Sequence, residues 1–209
     1  MVEILAFGDS ITYGVSDEKG GWVSRLRRDL EKDDIAKAQH VKNGVYNCGV
    51  RGDTTEDLLK RFDIECAGRE GKEDNPVIIF AIGTNDCSVE SGSSKVSPAN
   101  YKENLSKLLA KAKNTGERVV FVGLTPVDET KTVPIPWKTE RSYLNKSVIE
   151  YNAILKEFSK ANGTCFVDVY RPFGKNPLSL LSDGLHPNSK GHQRIYKAVM
   201  KALKKAGYL

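Results

Sequence analysis

Two widely separated stretches of the chain carry residue types that could work together. Ser10 follows a short apolar run in Phe7-Gly8-Asp9-Ser10-Ile11-Thr12, and Asp183-Gly184-Leu185-His186-Pro187 sets a carboxylate and an imidazole three residues apart. A serine hydroxyl is a poor nucleophile until a base removes its proton, and an imidazole is suited to that task near neutral pH. A carboxylate on the other ring nitrogen fixes the tautomer and stabilises the imidazolium. Ser10, His186 and Asp183 are thus the parts of an activated nucleophile, provided the fold brings them together. Each signal alone has a plain structural reading. A serine after a strand is a common helix cap, His186 fits a loop, and Asp183 can start a turn with Gly184. Asp9 could orient its neighbour Ser10 or simply make the turn.

The elements that would position these groups alternate along the chain. Apolar runs at Ile4–Phe7, Val45–Val50, Val77–Ile82, Val119–Leu124 and Cys165–Val169 read as strands. Between them, apolar residues recur at helical spacing: Trp22, Leu26 and Leu30; Leu58, Leu59 and Phe62 after Thr54-Thr55-Glu56-Asp57; Tyr101, Leu105, Leu108, Leu109 and Ala112. Tyr151, Ile154, Leu155 and Phe158 form a fourth face, and Ile195, Val199, Ala202, Leu203 and Ala206 a fifth. This alternation predicts a three-layer α/β/α sandwich around a central, mostly parallel five-stranded sheet. Residues 1–209 read as a single domain. In a parallel sheet the carboxyl ends of the strands share one edge. Gly8-Asp9-Ser10, Gly49-Val50-Arg51-Gly52-Asp53 and Gly83-Thr84-Asn85-Asp86 therefore converge there. The stretch from Arg171 to Ser182 can return Asp183 and His186 to the same edge. Ser88–Pro98 and Pro126–Arg141 show no clear period and read as irregular segments bordering the same crevice, either surface loops or walls of a substrate pocket.

The bulk composition is that of an ordinary globular protein, 39% hydrophobic and 28% charged, with a net charge of +5. Val77–Ile82, the longest apolar run, is too short to span a bilayer, and no signal-peptide pattern precedes Ser10. Lys197, Lys201, Lys204 and Lys205 read as the solvated face of the last helix rather than a nucleic-acid site. Cys48, Cys66, Cys87 and Cys165 lack metal-type pairing and read as reduced thiols in a cytoplasmic protein. Cys87 stands out because it follows Asn85-Asp86. His192 reads as a packed histidine at the edge of an apolar helix face, and His40, between Lys37 and Lys42, as exposed. Neither has an aspartate three residues before it, which leaves His186 as the base. The glycine-x-serine-x-glycine elbow is absent, as are the phosphate-loop and dinucleotide fingerprints.

Together, four blocks in this order resemble the GDSL-type, or SGNH, hydrolase superfamily of esterases and lipases. Gly8-Asp9-Ser10 matches the first block, with Ile11 in place of the name-giving leucine. Gly52 matches the glycine of the second, Gly83-Thr84-Asn85-Asp86 the third, and Asp183-Gly184-Leu185-His186-Pro187-Asn188 the last. The resemblance implies a flavodoxin-like, SGNH-hydrolase fold and a metal-independent serine esterase without cofactor, acting through an acyl-enzyme. It also implies an oxyanion hole built from the Ser10 and Gly52 backbone N–H groups and the Asn85 amide, donors whose chemistry independently suits that role. Asp9, Thr84 and Trp137 are candidate pocket residues; Trp137 with Tyr143 could line an acyl or sugar site, and core packing explains an aromatic equally well. The expected partner is a small-molecule ester, short-chain acyl or acetyl esters being favoured. Nucleic acid and stable membrane association are not expected, and no oligomeric state is set. A lysophospholipase, acyl thioesterase or carbohydrate acetylesterase would use the same catalytic parts. A metal-dependent phosphoesterase ligating through Asp9, Asn85, Asp86, Asp183 and His186 is the alternative of another class. That reading offers one histidine and leaves Ser10 without a purpose. A non-catalytic binding module would be expected to lack one of the reactive groups, and all are present.

Overall fold

A computed structural model describes residues 2–37, 43–69, 75–116, 118–174 and 176–209. His40 lies outside the described residues. The elements run β1 (Glu3–Gly8), α1 (Ser10–Tyr13), α2 (Gly21–Ala36), β2 (Gly44–Gly49), α3 (Thr55–Ala67), β3 (Val77–Ala81), β4 (Val89–Glu90) and β5 (Ser93–Ser94). They continue with α4 (Pro98–Thr115), β6 (Arg118–Val122), α5 (Glu129–Thr132), β7 (Arg141–Ser142), α6 (Asn145–Ala161), β8 (Cys165–Val167) and α7 (Ser189–Lys205). Each of the five strands expected from apolar runs is present within two residues of its expected ends.

Those five strands form one sheet in the order β2-β1-β3-β6-β8, and every pairing is parallel. Alternate residues feed opposite faces, as strand geometry requires. Ile4, Ala6, Val77, Ile79, Val120 and Val122 pack with Trp22 and Leu26 of α2 and Ile195, Val199 and Leu203 of α7. Leu5, Phe7, Ile78, Phe80, Val119 and Phe121 pack on the other face with Leu58 and Phe62 of α3, Leu105 and Leu108 of α4, and Leu155 and Phe158 of α6. Three layers result. Among the described residues no helix is long and apolar enough to cross a membrane.

The chain leaves β1 for β2 on one side and returns to β3 on the other, so the sheet order reverses beside β1. Such a switch point opens a crevice at the carboxyl ends of the strands. The two segments expected to be irregular depart from that expectation. β4 pairs antiparallel with both β5 and β7 in a second, three-stranded sheet, and α5 adds a helical turn to the later segment. Strands of two residues carry no readable period, and only their mutual pairing makes them a structure.

The loop that returns to the site is tied down by a buried ion pair. Arg25 in α2 pairs with Asp17, and the two side chains are 6% and 0% exposed. The same guanidinium bonds the Gly21 carbonyl at 2.9 Å and the Ser189 hydroxyl at 2.9 Å, joining α2 to the start of α7. Removing one partner of a buried pair leaves an uncompensated charge. Arg25→Ala should therefore lower the unfolding free energy by about 3–5 kcal/mol, read as a lower urea midpoint at unchanged slope. A midpoint unmoved by the substitution would mean that the pair is solvated.

Candidate active site

At the end of β1 the chain turns directly into α1. Asp9 is the N-cap, with an extended backbone and a carboxyl that accepts the Ile11 N–H at 2.9 Å. That satisfies one of the open donors of the first turn. Ser10 is the first residue of the helix, not its cap. A Cβ on Gly8 would strike Thr12 Oγ1 and the Ala81 carbonyl, so only glycine lets α1 sit this closely against the ends of β1 and β3.

Asp183 and His186 occupy a turn ahead of α7. Leu181 bridges to Pro187, and Ser182 donates its N–H to the His186 carbonyl at 2.8 Å. One Asp183 oxygen accepts the N–H groups of Leu185 at 3.0 Å and His186 at 2.8 Å. The other meets His186 Nδ1 at 2.7 Å, and His186 Nε2 faces Ser10 Oγ at 3.0 Å. Burial works against charge on Asp183, but hydrogen bonds from the His186 ring and backbone outweigh it and hold the carboxyl down to about 2. An ionised Asp183 can only accept, which assigns the ring proton to Nδ1 and leaves Nε2 open to the serine hydroxyl.

The remaining loops meet beside this chain. Gly52 has φ +86°, in the left-handed region, and its N–H has no partner among the described residues. Asn85 is buried; its Nδ2 donates to the Asp53 carbonyl at 2.9 Å, and its Oδ1 accepts the Tyr143 hydroxyl at 2.9 Å. Asp86 turns away. Its oxygens take the Thr55 N–H at 3.0 and 3.1 Å as well as the Thr55 hydroxyl, capping α3 from a distance. Two neighbouring polar residues thus serve different ends: Asn85 faces the second loop and Asp86 fixes a helix.

Of the three candidate pocket residues, Trp137 is open to solvent at 54% exposure and stacks on the His186 ring, centroids 6.2 Å apart and planes 26° apart. Asp9 and Thr84 are buried. Cys87 is buried as well, its thiol pushed up by desolvation and then by Asp86, the opposite of a reactive thiolate. His192 is packed, with Nε2 on the Val15 carbonyl at 3.1 Å. Among the described residues no group of three or more His, Cys, Asp and Glu side chains is placed to hold a metal ion. Of the five residues of the phosphoesterase alternative, Asp9 caps α1, Asn85 bonds Asp53 and Tyr143, Asp86 bonds Thr55, and Asp183 and His186 pair with each other. The sequence offered Tyr143 only as a pocket or core aromatic; its bond to Asn85 was not visible there, because the partner lies 58 positions away.

The chain is similar to known proteins over almost its whole length. The model of the GDSL-like lipase/acylhydrolase family matches residues 6–194. The uncharacterized protein YpmR of Bacillus subtilis is 27% identical, over 99% of this chain and 83% of its own. Esterase TesA of Pseudomonas aeruginosa is 24% identical, over 96% and 87%. The crystal structure of the lipase/acylhydrolase from Enterococcus faecalis superposes with a TM-score of 0.76 at 25% identity, covering 99% of this chain and 97% of that one.

Beneath Ser10 the fold buries a second carboxyl. Desolvation pushes Asp9 up to about 7; the Ile11 N–H and the His186 ring oppose the shift, while Asp86 and Asp53 add to it. The folded state therefore keeps the proton up to about pH 7, whereas an ordinary aspartate loses it near 3.8. In that window the folded state binds more protons than the unfolded one, so this group's contribution to stability falls as pH rises. Asp9→Asn keeps an oxygen for Ile11 and cannot ionise. Its stability relative to wild type should rise between about pH 4 and 7 and level off above, measured by urea unfolding at each pH. A difference that does not change with pH would place the Asp9 carboxyl in water.

Proposed function

The chain belongs to the GDSL-like lipase/acylhydrolase family, and from that premise we propose that it is a carboxylic ester hydrolase working through an acyl-enzyme on Ser10. The observation that carries the reading is the unbroken hydrogen-bond line from Asp183 through His186 to Ser10. His186 Nε2 takes the hydroxyl proton as Ser10 Oγ attacks the ester carbonyl. Asp183, ionised at every working pH, steadies the imidazolium that forms. The oxyanion is held by the N–H groups of Ser10 and Gly52 and the second N–H of the Asn85 amide. This reading is supported by the Gly52 N–H having no partner among the described residues and by the fixed orientation of Asn85. His186 then returns the proton to the leaving alcohol, and water repeats the sequence on the acyl-enzyme.

The walls argue for small acyl groups. Of the large apolar side chains in the segment 126–141, Val127 and Ile135 are buried in the core, while Val133 and Trp137 reach solvent beside the exposed Pro134 and Pro136. A long chain gains about 0.8 kcal/mol per methylene only where a dry groove receives it. Short-chain acyl or acetyl esters are the substrates this surface suits. A carbohydrate acetate is the second reading, favoured by the exposed indole of Trp137 beside His186.

A panel of p-nitrophenyl esters from acetyl to palmitoyl, with acetylated sugars alongside, tests the substrate class. We expect kcat/KM to peak between acetyl and butyryl; a peak at decanoyl or longer would mean that the loops close into an apolar tunnel. On the best substrate, Ser10→Ala and His186→Ala should each lower kcat by about 10^6-fold and Asp183→Asn by about 10^4-fold. Retention of turnover in Ser10→Ala would assign the nucleophile elsewhere.

A further inference from the structure

We propose that Tyr143 is a positioning residue that fixes the Asn85 amide for the oxyanion, and that the small β4–β5–β7 sheet exists to deliver it. The inference rests on the reading of Asn85 as an oxyanion donor. An asparagine amide can sit either way round, and its partners decide which. The Asp53 carbonyl can only accept, so the nitrogen of Asn85 must face it, at 2.9 Å. The oxygen of the amide then faces Tyr143, and the hydroxyl must donate to it, at 2.9 Å. Held from both sides, the amide plane cannot rotate, and the second N–H on Nδ2 keeps one direction. Asn85 is 5% exposed and Tyr143 2%. Closed off in this way, the amide oxygen has no ready replacement partner once the hydroxyl is gone.

The route by which Tyr143 arrives is built with more bonds than a surface loop needs. β7 pairs with β4, and the Arg141 side chain in β7 joins Glu90 in β4 by an ion pair that Lys138 extends at 3.3 Å. The Tyr143 backbone is fixed twice to Thr132, its N–H to the Thr132 carbonyl at 2.9 Å and its carbonyl to the Thr132 hydroxyl at 2.8 Å. The Arg141 guanidinium acts on the Tyr143 hydroxyl, yet burial outweighs it and pushes the phenol up to about 12. The hydroxyl therefore keeps its proton, and remains a donor, throughout any working pH. The phenol and the amide follow one another toward the site, the hydroxyl donating to the amide oxygen.

The test is a double-mutant cycle on p-nitrophenyl acetate with wild type, Tyr143→Phe, Asn85→Ala and the double variant, near-UV circular dichroism confirming the native fold of each. Tyr143→Phe keeps the buried ring and removes one oxygen. It should lower kcat about tenfold with KM within about twofold, as loss of one hydrogen bond that acts on the transition state predicts. In the Asn85→Ala background the same substitution should change kcat less than about twofold, because the group it acts through is gone. Effects that multiply independently in the double variant would overturn the proposal, as would a rise in KM alone. If Asn85→Ala itself leaves kcat unchanged, the oxyanion reading fails. If Asn85→Ala lowers kcat and Tyr143→Phe does not, only the positioning role of Tyr143 fails.

Discussion

The contact between His186 Nε2 and Ser10 Oγ, 3.0 Å across 176 positions of sequence, is the interaction on which the rest of the structure depends. A hydrogen bond tolerates errors of only a few tenths of an ångström, and neither residue is placed by its neighbours alone. Ser10 is set by β1, by the Asp9 cap and by a glycine that lets α1 close on the strand ends. His186 is set by a turn whose own carboxylate takes two backbone N–H groups and then the imidazole. The Arg25–Asp17 pair, through Ser189, ties the start of α7 to α2. Each of these devices is local. The five-stranded sheet is the frame that holds them in common.

Charge is distributed with a consistent logic around that contact. Asp183 is half-buried and rich in donors, so it stays ionised where the imidazolium needs an anion. Asp9 and Asp86 are more deeply buried, and desolvation pushes them up to about 7 and about 6. Asp86 is occupied with Thr55 and Asp9 with Ile11, so each has a structural bond to keep. The same residue type serves as electrostatic partner in one place and helix cap in two others. What decides is the balance between desolvation and the number of donors facing each carboxylate.

Much of this was legible in the sequence, for identifiable reasons. The central strands β1, β3 and β6 are apolar runs buried on both faces, a pattern that few other elements share. The edge strands β2 and β8 are shorter in apolar content and partly exposed. The Thr54 cap with Asp57 marks the start of α3 in both the sequence and the structure. Asp183 and His186 could be paired from spacing because their contact spans three residues. The second sheet was not legible, since strands of two residues have no period and gain their meaning from one another. The role of Tyr143 was likewise hidden: the sequence offered it with Trp137 as a pocket lining or as core packing, and its hydroxyl meets an amide 58 residues away. Cys87 stood out by its place after Asn85-Asp86, and the chain turns its thiol into the core.

The central claim is that Ser10 becomes acylated because His186 relieves it of its proton. Its most direct measurement is mass spectrometry of the protein quenched during turnover of p-nitrophenyl acetate, followed by peptide mapping. One added acetyl group on the peptide that contains Ser10, and none in a His186→Gln variant quenched at the same time, is the predicted result. An acetyl group on another residue, or equal acetylation of Ser10 without the imidazole, would contradict it.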